Sequence, residues 1–441
     1  MGQVFHRAPK HQYPTIDKAD GVYLYDRDGK QYLDASGGAA VSCIGHGNEY
    51  VINAIKSQLD TVAYAHTSFF TNAPQETLAD RLAARFGEKD ARVYFLSGGS
   101  EANETAIKLA RQYWVARGQY NKSIIISRDQ SYHGNTLATL ALSGNPARQQ
   151  TYKPMLHKWP KALPCHAYRY QRPNESLEDY GTRCAVSLEA RILTAGPKNV
   201  AAFIAEPIVG ATLGCVPAVP GYFKQIREIC DKYDILLILD EVMAGAGRSG
   251  TYFAFEQENI QPDIVTLAKG LGGGYQPLAA IICRGYIHDL IVKNCDSFEH
   301  GHTYIGHATA CAAGMAVMDV IEAENLLGRV RSTGETLMTQ LKATFDSHPN
   351  VGDIRGRGLF IAMEFTLDKE TKEAPGFKLD LPKKLKNSAM ENGLICYPGG
   401  GTSDGINGAH ILLAPPFIYD NNHVSELIEK LQRTIEEQEF E

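Results

Sequence analysis

The sequence predicts an α/β protein whose larger part is a mainly parallel central sheet flanked by helices, joined to a smaller α/β unit. Three observations carry this. Two apolar runs, Ile235–Leu239 and Ile264–Ala268, have the length of strands buried on both faces, and each ends abruptly on polar residues, Asp240-Glu241 and Lys269. Residues 93–117 read as strand, glycine turn and helix in succession. Beyond about residue 330, helix and strand patterns restart as a separate unit.

At 441 residues the chain is too long for one small core and suggests two domains. A net charge of −6 argues against a nucleic-acid surface. Nine cysteines, scattered and never in a CxxC spacing, indicate neither a disulfide framework nor a zinc site, and fit a reducing cytoplasm. No apolar run approaches the ~18 residues of a membrane span, and the opening decapeptide lacks a signal-peptide core.

In chain order, Val22 and Leu24, then Tyr32 and Leu33, flank Asp28-Gly29, a strong hairpin signal. Ser36–Asn48 is too rich in glycine for regular structure. Helical periodicity marks residues 49–60 and 75–86. Val93–Leu96 reads as a strand, Ser97–Ser100 as a tight turn, and Glu101–Arg117 as a helix with Ala102, Ala106, Leu109 and Tyr113 on its apolar side. A strand follows at Ser123–Ile126, then a long excursion over residues 145–180 without a clear period. Val200–Ile204 is a further buried strand, ending at Glu206-Pro207. Pro277–Cys283 is strand-like, residues 298–304 form a loop, and a small-residue helix spans Ala308–Glu322. The last part predicts a helix near 329–345, a strand at Gly358–Phe365, a glycine-rich loop over 398–408, a strand at His410–Leu413 and a closing helix with Val424, Leu427, Leu431 and Ile435 on one stripe.

The chemistry concentrates where these strands end. In open parallel sheets the carboxyl ends of strands hold ligands, and here they present a carboxylate, Asp240, and an amine, Lys269. Each residue alone reads most simply as a cap or a solvated side chain. Together they suit pyridoxal phosphate, which takes a lysine on its aldehyde and a carboxylate against its pyridine nitrogen. The Ser97–Ser100 turn before a helix suits an anion, with Gly99 and Ser100 as a phosphate cradle, although alone it reads more simply as a plain helix start. Tyr132, after a strand, is placed either to stack on a ring or to sit half-buried under a loop. His300 and His302 lack a third ligand, so no metal is expected.

At this point the motifs SGGSEANETAIKLAR, SYHG, AEPI, LILDEV followed by GRSG, TLAKGLGGG, HGHTYIGH and RGRGL resemble, over nearly the whole chain, the class III (ω-amino acid and ornithine type) aminotransferases of fold-type I pyridoxal phosphate enzymes. That resemblance implies a large cofactor-binding domain over residues 61–328 and a small α/β domain built from both termini, 1–60 and 329–441. It implies Lys269 as the Schiff-base lysine, Asp240 on the pyridinium, Val242 against one ring face, Tyr132 on the other, and Gly99 and Ser100 on the phosphate. Glu206 and His133 are expected beside the cofactor. Thr303 is expected to reach the phosphate of a neighbouring subunit, so a homodimer with shared sites, or a tetramer built from it, is implied.

Substrates would be an amine or amino acid and a keto acid such as pyruvate or 2-oxoglutarate. Relatives acting on amines often carry a Trp matching Ala40 and an Arg matching Gly405, and this chain has neither; Arg355 or Arg357 are the substitutes the sequence offers for the carboxylate, although RGRGL also reads as a structural turn. A mutase, epimerase or decarboxylase would use the same lysine and aspartate. A nicotinamide-dependent oxidoreductase would need a GxGxxG after the first strand, which SGGSEAN does not match.

Overall fold

A computed structural model describes residues 3–440; Met1, Gly2 and Glu441 lie outside them. The chain opens with three strands, β1 (Ile16–Asp20), β2 (Tyr23–Asp26) and β3 (Gln31–Asp34), the last two closing the expected hairpin with Gly29 in the left-handed region (φ 81°). Next come β4 (Arg92–Leu96), β5 (Ile124–Arg128), β6 (Lys161–Ala162) and β7 (Val200–Ala205), a two-residue ribbon of β8 (Ile208–Val209) with β9 (Val216–Pro217), and then β10 (Leu236–Asp240), β11 (Ile264–Leu267) and β12 (Ala279–Cys283). The C-terminal part adds β13 (Val351–Arg357), β14 (Phe360–Phe365), β15 (Leu394–Ile395), β16 (Tyr397–Gly400) and β17 (Ala409–Leu413).

Seven strands form the main sheet in the order β4-β12-β11-β10-β7-β5-β6. Strand β12 runs antiparallel to both neighbours, and the pairs β11-β10, β10-β7, β7-β5 and β5-β6 are parallel. Helices cover both faces, which explains the unbroken apolar runs. Along β10, Leu237 and Leu239 enter the core on one face while Leu236 and Ile238 enter the core on the other.

The predicted helices form at Glu49–Thr61, Ala73–Phe86, Ala308–Ala323, Leu326–Phe345 and Asn421–Glu436. The Ala73–Phe86 helix illustrates why: Asn72 accepts from Gln75 N at its start, Leu78, Leu82 and Phe86 are buried along one side, and Gly87 ends it at φ 84°.

The 145–180 excursion is less irregular than its composition suggests. It holds the short turns Pro146–Gln149 and Ala167–Tyr170 and the edge strand β6, and a helix begins at Leu177. RGRGL is likewise not only a turn: Arg355 and Arg357 lie in β13, and the turn to β14 follows at Gly358, whose φ is 58°.

Both ends of the chain meet in one sheet. Strand β15 pairs in parallel with β3, so the first strands are completed by nearly the last. The other C-terminal sheet runs β13-β14-β17-β16, and Pro398 is tolerated because β16 lies at its edge.

Candidate active site

The carboxyl ends of β10, β11, β7 and β4 converge on one cavity of ≈ 370 Å³, within the range of cofactor sites. Asp240 is the last residue of β10 and Lys269 follows β11 by two residues; β10 and β11 are direct neighbours, and both side chains line this cavity.

Asp240 is 4% exposed. Its Oδ2 accepts from Asn103 Nδ2 at 2.7 Å and pairs with His133 Nδ1 at 2.8 Å, while Oδ1 accepts from Val242 N at 3.1 Å. Asn103 is itself fixed, donating to the His133 carbonyl at 2.8 Å and accepting from Thr266 Oγ1 at 2.9 Å. No arginine or lysine pairs with this carboxylate among the described residues, so the geometry is set by neutral donors and by the imidazole.

Lys269 sits half-buried with a left-handed backbone, φ 49°. Desolvation lowers its pKa below that of a free lysine, with Asp240 pulling weakly the other way. Its Nζ donates to the Ala39 carbonyl at 3.0 Å. That carbonyl belongs to an unusual stretch: Gly37, Gly38, Ala39 and Ala40 all have positive φ, between 55° and 69°. Left-handed alanines cost about 1 kcal/mol each, and such strain gathers at functional sites. Asp34 secures the stretch by accepting from Ser36 N and Gly37 N.

The Gly99–Ala116 helix points its start at the same cavity. It begins two residues earlier than its apolar pattern predicts, and no side chain caps it at Gly98. Ser97, Gly98, Gly99 and Ser100 line the wall, so free N–H groups and the positive end of the helix dipole face the cavity. A Cβ at Gly99 would lie 2.8 Å from Val242 Cγ1. Glu206, buried after β7, accepts from Tyr132 N at 2.9 Å and from Gly210 N at 3.1 Å; burial raises its pKa.

This donor set fits the cofactor read from the sequence: an amine, a buried carboxylate with no guanidinium or ammonium partner among the described residues, and an uncapped helix start on one wall. Tyr132, Val242, Glu206 and His133 line the cavity too. Thr303 does not. It lines a separate surface cleft with His300 and His302, where His300 is occupied by Thr105 Oγ1 at 2.7 Å and Lys108 Nζ at 2.9 Å.

The family model for class-III aminotransferases matches residues 5–435. The chain belongs to that family. The enzyme is 45% identical to an uncharacterized aminotransferase of Schizosaccharomyces pombe over 98% of this chain and 94% of that one. It is 36% identical to gamma aminobutyrate transaminase 1 of Solanum lycopersicum, covering 96% and 81% respectively. Among solved structures, the omega transaminase from Pseudomonas jessenii in complex with PMP superposes with a TM-score of 0.91 at 33% identity, covering 99% of this chain and 96% of that one. An (S)-enantioselective omega-transaminase from Thermomicrobium roseum gives 0.91 at 35%, covering 97% and 93%. The fold is therefore that of the fold-type I transaminases, and the aminotransferase is pyridoxal phosphate-dependent.

None of the four substrate-side candidates lines the cavity. Arg355 is tied to Glu364 at 2.6 Å, Asp353 at 2.8 Å and the Gly214 carbonyl at 2.8 Å, and Arg357 to Glu258 at 2.6 Å; neither lines the cavity, because each guanidinium already has its acid. Ala40 packs into the core with Ile208, Ala244 and Phe360, leaving Ala39 and Val41 as the wall. Gly405 faces an outer cleft.

Sequence reasoning missed Asn103, Ala39, Arg7 and Arg148, all of which line the cavity. Asn103 left a signal: it is a polar residue at 1% exposure on the otherwise apolar side of its helix.

Proposed function

We propose that this aminotransferase moves an amino group from an amine or amino-acid donor to a keto acid such as pyruvate or 2-oxoglutarate in a ping-pong cycle. The observation that carries the reading is the placement of Lys269 and Asp240 at the ends of adjacent strands around one cavity. The relatives named as transaminases support transfer over isomerisation or decarboxylation.

When bound, the cofactor supplies an aldehyde that exchanges amines and a ring that accepts electrons. The protein does the rest. Lys269 would hold the aldehyde and, when free of it, would move a proton to and from the substrate carbon. Its lowered pKa leaves more neutral amine at a given pH than a free lysine has. Asp240, oriented by Asn103 and His133, would keep the ring nitrogen protonated. Tyr132 and Val242 line the cavity where they would hold the ring between them, and Glu206 fixes the Tyr132 backbone. Gly99 and Ser100 take the phosphate at the helix start.

The active unit in this reading is a homodimer in which Thr303 serves the neighbouring site. Exposed Phe69 (78%), Phe70 (67%) and Tyr304 (59%) near its cleft support a covering second copy. The division into a cofactor-binding part, 61–328, and a small part from both termini belongs to the same proposal and is supported by the β3–β15 pairing.

A donor panel with pyruvate, 2-oxoglutarate and oxaloacetate tests it. One keto acid aminated per donor consumed is expected, and conversion of the donor without net acceptor use would replace transfer with isomerisation. Lys269→Ala should reduce turnover to the detection limit and remove borohydride-trappable cofactor from the protein; near-normal turnover in that variant would end the assignment.

A further inference from the structure

The cavity has an acidic interior and a basic rim. Asp240 and Glu206 are buried within it, whereas Arg7 and Arg148 line its wall from exposed positions. The two arginines differ from the others nearby. Arg355 and Arg169 share Glu364, Arg357 has Glu258, and Arg128 donates to the Glu206 carbonyl. Arg148 and Arg7 have no acidic partner among the described residues.

Arg148 is also held in a defined place. It rides on the Pro146–Gln149 turn, whose Asn145 cap accepts from Arg148 N at 3.1 Å. Its guanidinium carbon lies 4.7 Å from the centroid of the Tyr132 ring, which orients the planar fork. Gly405 makes this position available. A Cβ there would lie 2.6 Å from Pro146 Cδ, so only a bare backbone lets the 400–408 loop close on the turn that carries Arg148. Arg148 consequently lines both the outer cleft and the cavity.

We propose that Arg148 is the specificity residue that receives the carboxylate of the amino-acid or keto-acid substrate, with Arg7 adding positive charge beside it. A guanidinium with open donors matches a carboxylate in a two-bond fork, which a lysine cannot reproduce. An amino-acid donor and the keto acid would both use this fork, whereas a simple amine would gain nothing from it. This rests on the amino-transfer reading for its substrates but not for its binding geometry.

The holoenzyme and its Arg148→Met and Arg148→Lys variants, titrated calorimetrically with succinate and with its neutral diamide succinamide, separate the two. Arg148→Met should weaken succinate by about 10- to 100-fold with no change for succinamide, and Arg148→Lys should fall between. In single-turnover reactions, the preference for alanine or glutamate over benzylamine should drop by the same factor, as a raised half-saturation constant rather than a lowered limiting rate. Unchanged affinity for pyridoxal phosphate shows that the site is intact. Succinate binding within two-fold of the parent, equal losses for both ligands, or a parent that takes succinate no better than succinamide would each overturn the assignment. If the parent aminates no keto acid, the amino-transfer reading fails while the succinate comparison still decides Arg148.

Discussion

Two buried carboxylates invite comparison. Asp240 closes β10 beneath the cofactor cavity, and Glu364 lies in β14, wholly buried where the C-terminal sheet meets the Ala167–Tyr170 turn. Glu364 is saturated with charge: Arg169 Nε at 2.5 Å, Arg355 Nη1 at 2.6 Å and His166 Nε2 at 3.5 Å. Burial alone would raise its pKa, but Arg355, with His166 and Arg169, holds the carboxyl far below the usual range. Asp240 receives an amide, an imidazole and a backbone N–H and no guanidinium. Depth is the same in both; what differs is who brings the positive charge. At Glu364 the protein supplies it and the site is closed, whereas at Asp240 no guanidinium fills that place, which in the proposed function falls to the cofactor's ring nitrogen.

The sharpest way to break the comparison is to neutralise each acid. Asp240→Asn should lower turnover by about 10²–10⁴-fold, because the ring would lose the group that keeps it protonated, and should cost about 1–3 kcal/mol of stability, since one accepting oxygen becomes a donor facing a donor; single-turnover rates and denaturant titration check this. Removing Arg355 should do the reverse. Arg355→Met strands Glu364 in the core and should cost about 3–5 kcal/mol of unfolding free energy by denaturant titration, while pyridoxal phosphate affinity stays near the parent's.

Acidification should weaken the Glu364 centre. Glu364 is held below its ordinary 4.5, so it contributes stability above that value that is lost as pH falls. His410 on β17 is pushed by burial from 6.5 down to about 3, so below 6.5 the unfolded chain takes up a proton the native one refuses. Both effects weaken the fold on acidification. Arg355 and Glu364 face His410, and Thr402 Oγ1 bonds its Nδ1 at 2.8 Å. His410→Asn should flatten the decline in thermal midpoint between about pH 6.5 and 4.

The smallest effect belongs to Glu241, whose oxygens accept from Ala254 N at 2.6 Å and Phe255 N at 2.7 Å. Glu241→Gln turns one acceptor into a donor facing a donor, at about 1–3 kcal/mol. Burial pushes Glu241 up to about 8, so the parent loses stability as pH rises from 4.5 towards 8, and the gap to the variant should narrow over that interval.

The same contrast explains what could be read from sequence. The interior of the site was legible because Asp240, Lys269 and Glu206 directly follow buried strands, so an apolar run and the polar residue ending it sit together in the chain. The rim was not. Arg148 stands in a stretch without period, and its neighbours Arg7 and Gly405 come from opposite ends of the sequence. Arg355 misled for a related reason. The β13 strand buries Ile354 on one face and on the other turns Arg355 and Arg357 to acids, Asp353 among them, and to carbonyls, so ion pairs replace the apolar alternation that marks a strand.

The Ala39 carbonyl that meets Lys269 is set by the chain's beginning but braced by its end. Ala414 N donates to the Ala35 carbonyl at 2.8 Å, Phe417 N to that of Cys43 at 2.7 Å, and Tyr419 Oη to that of Asp34 at 3.0 Å. On the ribosome, the seven-stranded sheet is translated long before those braces exist. The wall that presents the Ala39 carbonyl to Lys269 is therefore fully braced only once the carboxyl-terminal segment has been made.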